Sequence, residues 1–195
     1  LGVTTATGGT DTLQQSVAAN RFEQISFTEG TFVIVQGTTG NDNTVATALN
    51  GTAGADLLLG FQGADSMNGG AGNDVFVGGI GGDTMTGGGD NDIFDYNATG
   101  ESVTGVTTRD NIIDFNAGDA FDFRTIDAST ANAGNDDFVL TAGNAAFSAE
   151  GQIRFTQAGL NTIVELNVTG ATGAEMEIVL QNYNFTTSGI PQILF

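Results

Sequence analysis

From Gly51 the chain reads GTAGADLLL, GFQGADSMN, GGAGNDVFV, GGIGGDTMT and GGGDNDIFD, closing at Asp95: five nine-residue units without a break in register. Position six is Asp in every unit (Asp56, Asp65, Asp74, Asp83, Asp92), and position eight is apolar in every unit (Leu58, Met67, Phe76, Met85, Phe94). Position four is Gly54, Gly63, Gly72 and Gly81 in turn, then Asp90. A short fixed period marks an array in which each unit packs on its neighbours. A disordered glycine- and aspartate-rich linker would share this composition, yet it has no reason to place an apolar residue two positions after every Asp.

Six residues of each unit are turn-formers, and the remaining three are enough for one very short strand. The middle residue of such a strand, position eight, faces one side. Turn and strand then alternate, two units complete one coil, and turns two units apart stack at about 4.8 Å. This predicts Asp56, Asp74 and Asp92 on one edge of a parallel β-roll and Asp65 and Asp83 on the other, with the position-eight residues meeting between them as a thin core. Stacked carboxylates repel one another. Calcium, which takes six to eight oxygens, neutralises and cross-links such a column, so the ion belongs to the fold itself. The candidate oxygen donors are those five aspartates and the turn residues Gly54, Gly63, Gly70, Gly72, Gly79, Gly81, Gly88 and Asp90. An offset copy, GTTGNDNTV at 37–45, adds Asp42, although Thr44 stands where its apolar residue should be. Several ions are expected, roughly three to six.

Composition points the same way. Four arginines and no lysine stand against 23 acids in 195 residues, a net charge of −19. That balance excludes electrostatic binding to nucleic acid or anionic lipid, and no apolar run is long enough to span a membrane. The absence of Cys and His removes disulfides, thiol catalysis and most zinc or general-base chemistry. No secretory leader follows Leu1, and the sequence is expected to be part of a longer protein.

Three zones are expected: flanking strands over 1–36, of which TFVIVQ (31–36) is the clearest; the roll over 37–95; and a β cap over 96–195. In the cap, TIVELNV (162–168) and EMEIVLQ (175–181) alternate like half-buried strands, and no segment carries a helical period. The fold class is therefore all-β, a parallel roll followed by an antiparallel, sandwich-like cap.

The units at 51–95 resemble the RTX family of calcium-binding nonapeptide repeats. The stretch RDNIIDFNAGDAFDFRTID (109–127) is similar to the segment after the roll in serralysin-type metalloproteases: Asp110, Ile112, Asp114, Phe115, Gly118, Asp119 and Asp122 fall on that pattern. The resemblance implies that Asp110 and Asp114 help close the last calcium sites. Residues 147–155 and the later strands fit the same family's cap. Its acidic calcium loop between the last paired strands is replaced here by NVTGATGAE (167–175), where no ion is expected. The family's terminal export signal, commonly an acid followed by large apolar residues, is matched by PQILF with Gln192 in the acid's place.

The function implied is a calcium-binding module, secreted or displayed at a bacterial cell surface, that folds on extracellular calcium. It would support export by a type I secretion apparatus and stabilise a larger protein. Two alternatives belong to other classes: a surface-layer or adhesin element that self-associates through calcium, and a carbohydrate-binding module. No enzyme activity is expected of this chain. Its adjacent acids, Glu175 with Glu177 and Asp136 with Asp137, read as an outward strand face and a polar turn.

Overall fold

The computed structural model describes residues 2–4, 10–16, 21–26, 33–44, 47–131, 136–141, 145–170 and 172–194. In chain order its strands begin with β1 (Gly2–Thr4), β2 (Thr10–Ser16), β3 (Arg21–Ser26), β4 (Val33–Gln36), β5 (Leu49–Asn50) and β6 (Asp56–Leu59). The repeats continue as β7 (Ser66–Gly70), β8 (Val75–Val77), β9 (Thr84–Gly88) and β10 (Ile93–Asp95). Then come β11 (Asp110–Ile112), β12 (Ala120–Asp122), β13 (Val139–Leu140), β14 (Gln152–Ala158), β15 (Asn161–Asn167), β16 (Met176–Leu180) and β17 (Gln192–Leu194). Helix among the described residues is confined to a 3-10 turn, Thr99–Glu101, and one α turn, α1 (Phe185–Ser188), which Asn184 caps through its side chain. The chain is nearly all-β, as its period and composition predict.

Each repeat supplies one strand, and successive strands go to alternate sheets. One sheet runs β4-β6-β8-β10-β12-β17, parallel throughout. The other runs β5-β7-β9-β11-β16 in parallel and then turns antiparallel through β15 and β14, with β13 at its end. Strands β1, β2 and β3 form a separate antiparallel sheet. The strand expected at 31–36 is described from Val33.

Position-eight residues fall opposite one another down each sheet. Leu58, Phe76, Phe94, Phe121 and Ile193 align in the first, and Leu49, Met67, Met85, Ile112 and Leu180 in the second. Leu49, within the five residues that offset the early copy, therefore takes the place that Thr44 leaves. Leu58, Phe76 and Phe94 are fully buried, and Phe76 stacks on Phe94 with centroids 5.1 Å apart.

The core is larger than five residues, which corrects the expectation of a thin one. It runs on through Ile112, Phe115, Phe121 and Phe123 into the antiparallel meander, where Ile153, Val164, Leu166, Met176 and Ile178 join it. The reason is one of phase. The stretches GVTTRDNII (105–113) and DFNAGDAFD (114–122) lie in the same nine-residue register as the repeats, with Asp110 and Asp119 at position six and Ile112 and Phe121 at position eight. Only YNATGESVT (96–104) is left out of the coil; it holds the 3-10 turn and a lone bridge from Val103 to Met176.

Candidate metal-binding turns

The position-six aspartates form two ladders, one on each edge of the roll. On the first edge, Oδ1 of Asp56, Asp74, Asp92 and Asp119 accepts the backbone N–H of Val33, Asp56, Asp74 and Asp92 respectively, at 2.8–3.0 Å. On the second, Oδ1 of Asp65, Asp83 and Asp110 accepts from Asp42, Asp65 and Asp83, at 2.7–2.8 Å. The edges are those that the two-unit coil predicts. Each carboxylate is thus pinned by one oxygen to the turn stacked before it.

The second oxygen separates the ends of each ladder from its middle. At the beginning, Oδ2 of Asp42 accepts from the backbone N–H and hydroxyl of Thr38, and Oδ2 of Asp56 accepts from those of Thr52. At the far end, Oδ2 of Asp110 accepts from the Tyr96 hydroxyl at 2.9 Å and Oδ2 of Asp119 from the Asn116 N–H at 2.8 Å. Between those ends, Oδ2 of Asp65, Asp74, Asp83 and Asp92 is buried with no hydrogen-bond donor. A buried, unpaired carboxylate oxygen is costly unless a cation or a proton meets it.

Glycine is needed beside these oxygens for space. A Cβ on Gly69 would lie 2.1 Å from Oδ2 of Asp74. One residue on, Gly70 has φ +106°, and a Cβ there would come within 2.1 Å of the Thr52 carbonyl in the turn below. Stacked turns therefore bring backbone carbonyls and carboxylates together.

Burial and like charge act on the same four side chains. Burial pushes the carboxyls of Asp83 and Asp92 up to about 7 and those of Asp65 and Asp74 up to about 6, and the aspartate in the neighbouring turn of each ladder adds to every shift. Nowhere among the described residues do three or more acidic side chains converge in a metal-holding group. Any ion held here takes its remaining oxygens from turn carbonyls and water. That donor set suits calcium, which accepts mixed carboxylate and carbonyl oxygens in flexible geometry; magnesium demands a rigid octahedron and keeps its waters. The residues fit a bound calcium.

The profile of the RTX calcium-binding nonapeptide repeat, in its four-copy form, matches residues 47–76 and 69–98. These turns are RTX calcium-binding repeats. Among solved structures, the chain is similar to the AlgE6R3 subunit of the mannuronan C5-epimerase of Azotobacter vinelandii, determined in solution: 27% identity over 82% of this chain and 80% of that one, with a TM-score of 0.56. The AlgE6R2 subunit of the same epimerase covers 84% of this chain and 91% of its own at 22% identity, with a TM-score of 0.49. No curated protein matches. The likeness to AlgE6R3 agrees with the parallel roll. No described helix is long and apolar enough to cross a membrane.

The other candidates are placed as follows. Asp114 accepts from the N–H groups of Gly87 and Gly88, one on each oxygen. Asp90 is exposed, with φ +71°, the left-handed conformation that glycine adopts at position four of the Gly60 and Gly69 units. Glu177 pairs with Arg109 at 3.1 Å, and Glu175 accepts from the Val168 N–H and the Thr169 hydroxyl. The acidic residue that repeat counting overlooks is Asp119. Its signal was present: it lies in phase, three units beyond Asp92. The closing donors Thr38 and Thr52 share position two of their units, a signal that counting Asp and apolar positions passes over, whereas Tyr96 emerges only from the stacked geometry.

Proposed function

We propose that the chain is a calcium-triggered folding module of an exported bacterial protein, with flanking strands over 1–36, the roll over 37–95 and a cap over 96–195. The observation that carries this reading is the set of four buried, unpaired Oδ2 atoms of Asp65, Asp74, Asp83 and Asp92. The ions, roughly three to six, would be held by these aspartates and by the turn carbonyls of Gly54, Gly63, Gly70, Gly72, Gly79, Gly81 and Gly88. Asp42, Asp56, Asp90, Asp110 and Asp114 serve the outer turns.

In the cytosol free calcium lies far below the millimolar range in which extracellular modules bind, so repulsion within the ladders keeps the chain expanded for export. Outside, calcium binds the folded state alone and stabilises it by mass action. The serralysin-like pattern at 109–127 supports a type I secretion route. Circular dichroism during titration with EDTA and then calcium tests the proposal: strand signal should vanish on chelation and return with calcium. Strand content that persists undiminished under complete chelation at about pH 8, where the ladder carboxylates are ionised, overturns it.

A second reading comes from the likeness to a subunit of a polysaccharide-modifying enzyme: the module accompanies a carbohydrate-acting partner domain. The described arginines argue against a polyanion-binding groove on the module itself, since Arg109, Arg124 and Arg154 each pair with a carboxylate, of Glu177, Asp122 and Glu165 respectively. A glycan array with neutral and acidic polysaccharides separates the two: retention of neutral glycans alone supports the second reading, and no retention removes it.

A further inference from the structure

The outer faces of the two sheets differ. On the sheet of β5, β7 and β9, the outward residues are polar: Asn50, Ser66, Asn68, Thr84 and Thr86. On the sheet of β6 and β8, they are Leu57, Leu59, Val75 and Val77, all half-buried. At the edge of this apolar face lies a pocket of about 220 Å³ lined by Leu59, Phe61, Val77, Gly79, Ile80 and Glu101. It has the volume of about seven waters, the size of one ring or a short alkyl chain.

Two observations mark the pocket as more than surface roughness. First, Phe61 is 45% exposed with φ +74°, at a position where the next three units carry Gly70, Gly79 and Gly88, all left-handed. An aromatic residue in that region is strained, and the strain serves no visible packing purpose in a half-exposed side chain. Facing it, Ile80 is 58% exposed. Its backbone is fixed, with its N–H donating to the Phe61 carbonyl at 2.8 Å, so the two apolar side chains are held side by side.

Second, the apolar wall ends on a carboxylate with no counter-charge among the described side chains. Glu101, from the nonapeptide excluded from the coil, accepts only the Asn97 N–H, at 3.0 Å, and no described arginine pairs with it. Its carbonyl accepts from the Gly81 N–H, which anchors the excursion against the turn carrying Ile80. Burial and the nearby Asp95 both raise its carboxyl above the ordinary value. A cation at the acidic end would offset that desolvation.

We infer that this pocket binds a small apolar amine, with its ring or alkyl arm against Phe61 and Ile80 and its ammonium on Glu101. The site uses none of the buried ladder oxygens, although Gly79 in its lining also belongs to a proposed calcium turn. Three probes of one size test it on the calcium-loaded full chain: phenethylammonium, phenethyl alcohol and phenylacetate, followed by the amide NMR shifts of Gly79, Ile80 and Gly81. The ammonium should bind about fivefold more tightly than the alcohol, and the carboxylate least. Glu101→Gln should erase the preference for the amine and leave alcohol binding unchanged. Phe61→Gly should weaken all three probes by about tenfold while holding or raising the melting temperature, because glycine relieves the left-handed strain. Ile80→Ser gives the same loss of binding without altering that turn. Equal affinity for the three probes, undiminished binding to Phe61→Gly and Ile80→Ser, or no shift at any soluble amine concentration overturns the inference.

Discussion

The backbone N–H of Asp83 donates to Oδ1 of Asp110 at 2.8 Å, across 27 residues of sequence. The rung before it, Asp65 to Asp83, spans 18, and on the other edge Asp92 likewise reaches 27 residues ahead to Asp119. One nonapeptide has been skipped on both edges at once, so the ladder passes from the regular repeats into the cap with its backbone-to-Oδ1 rung unchanged.

The middle and the ends of that ladder should respond differently to mutation. Asp83→Asn keeps the hydrogen-bonded oxygen but removes the charge at a buried, unpaired position. The calcium midpoint for folding should rise about tenfold. Asp56→Asn opens no unpaired oxygen, because Thr52 already donates to Oδ2; its new amide N–H faces the Thr52 N–H and costs some stability, so its midpoint should rise less, by about threefold. Parallel calcium titrations followed by circular dichroism compare the two. Equal shifts would show that the Thr52 donors do not substitute for an ion.

Without calcium, the fold should be favoured by mild acid. The folded carboxyls of Asp83 and Asp92 sit near 7 and those of Asp65 and Asp74 near 6, above the ordinary 3.8 that the unfolded chain keeps. Between those limits the folded state binds more protons, so its stability falls as pH rises through the window and is greatest below it. In EDTA, strand signal should be stronger at about pH 5 than at about pH 8. Calcium competes with those protons, so its midpoint should rise as pH falls. A calcium-free fold that gains stability toward alkaline pH would contradict the buried ladder.

How much of this was readable from residues alone depended on where the period stayed visible. The fixed spacing of Asp and an apolar partner located both edges and the inward column from Leu58 to Phe94, because register on a roll leaves no choice of face. Leu49 was hidden, since five inserted residues separate it from its own turn. Asp119 and Phe121 were hidden in a different way. Glycine had largely gone from their unit, while the two positions that matter, six and eight, kept their phase. The donor that closes the far end of the second ladder could not be found by periodicity: Tyr96 lies 14 residues from Asp110 and meets it only because the intervening loop folds back.

The continuous core predicts one cooperative transition. Phe121 is fully buried, with ring centroids 5.1 Å from Phe115, 5.4 Å from Phe123 and 6.2 Å from Phe94, so it joins the last regular repeat to the cap. Phe121→Ala should cost about 3–5 kcal/mol and lower the melting of the whole calcium-loaded chain in a single transition. Calorimetry decides this. If the roll keeps its own melting temperature while a second transition moves, the two halves do not share a core.

The skipped nonapeptide supplies the sharpest test of register. Deleting 96–104 joins Asp95 to Gly105, so that GVTTRDNII follows GGGDNDIFD in phase, with glycine at position one and Asp110 at position six. Strand β11 can then reach β9 as it does now, through the pairing of Ile112 with Met85. The deletion also removes the Tyr96 hydroxyl from Oδ2 of Asp110 and the Ser102 hydroxyl from the Asp110 N–H. Asp110 thereby acquires the unpaired oxygen of a mid-ladder residue. The shortened chain should fold in calcium, with a lower melting temperature from the lost buried Tyr96 and a steeper calcium dependence from the extra open carboxylate. Removing eight residues instead, 97–104, shifts every later strand by one position and turns Ile112 and Phe121 outward, so that variant should not fold at any calcium concentration. Folding of both deletions with similar stability would mean that the cap docks without using the nine-residue phase, and the skipped unit would then be an ordinary loop.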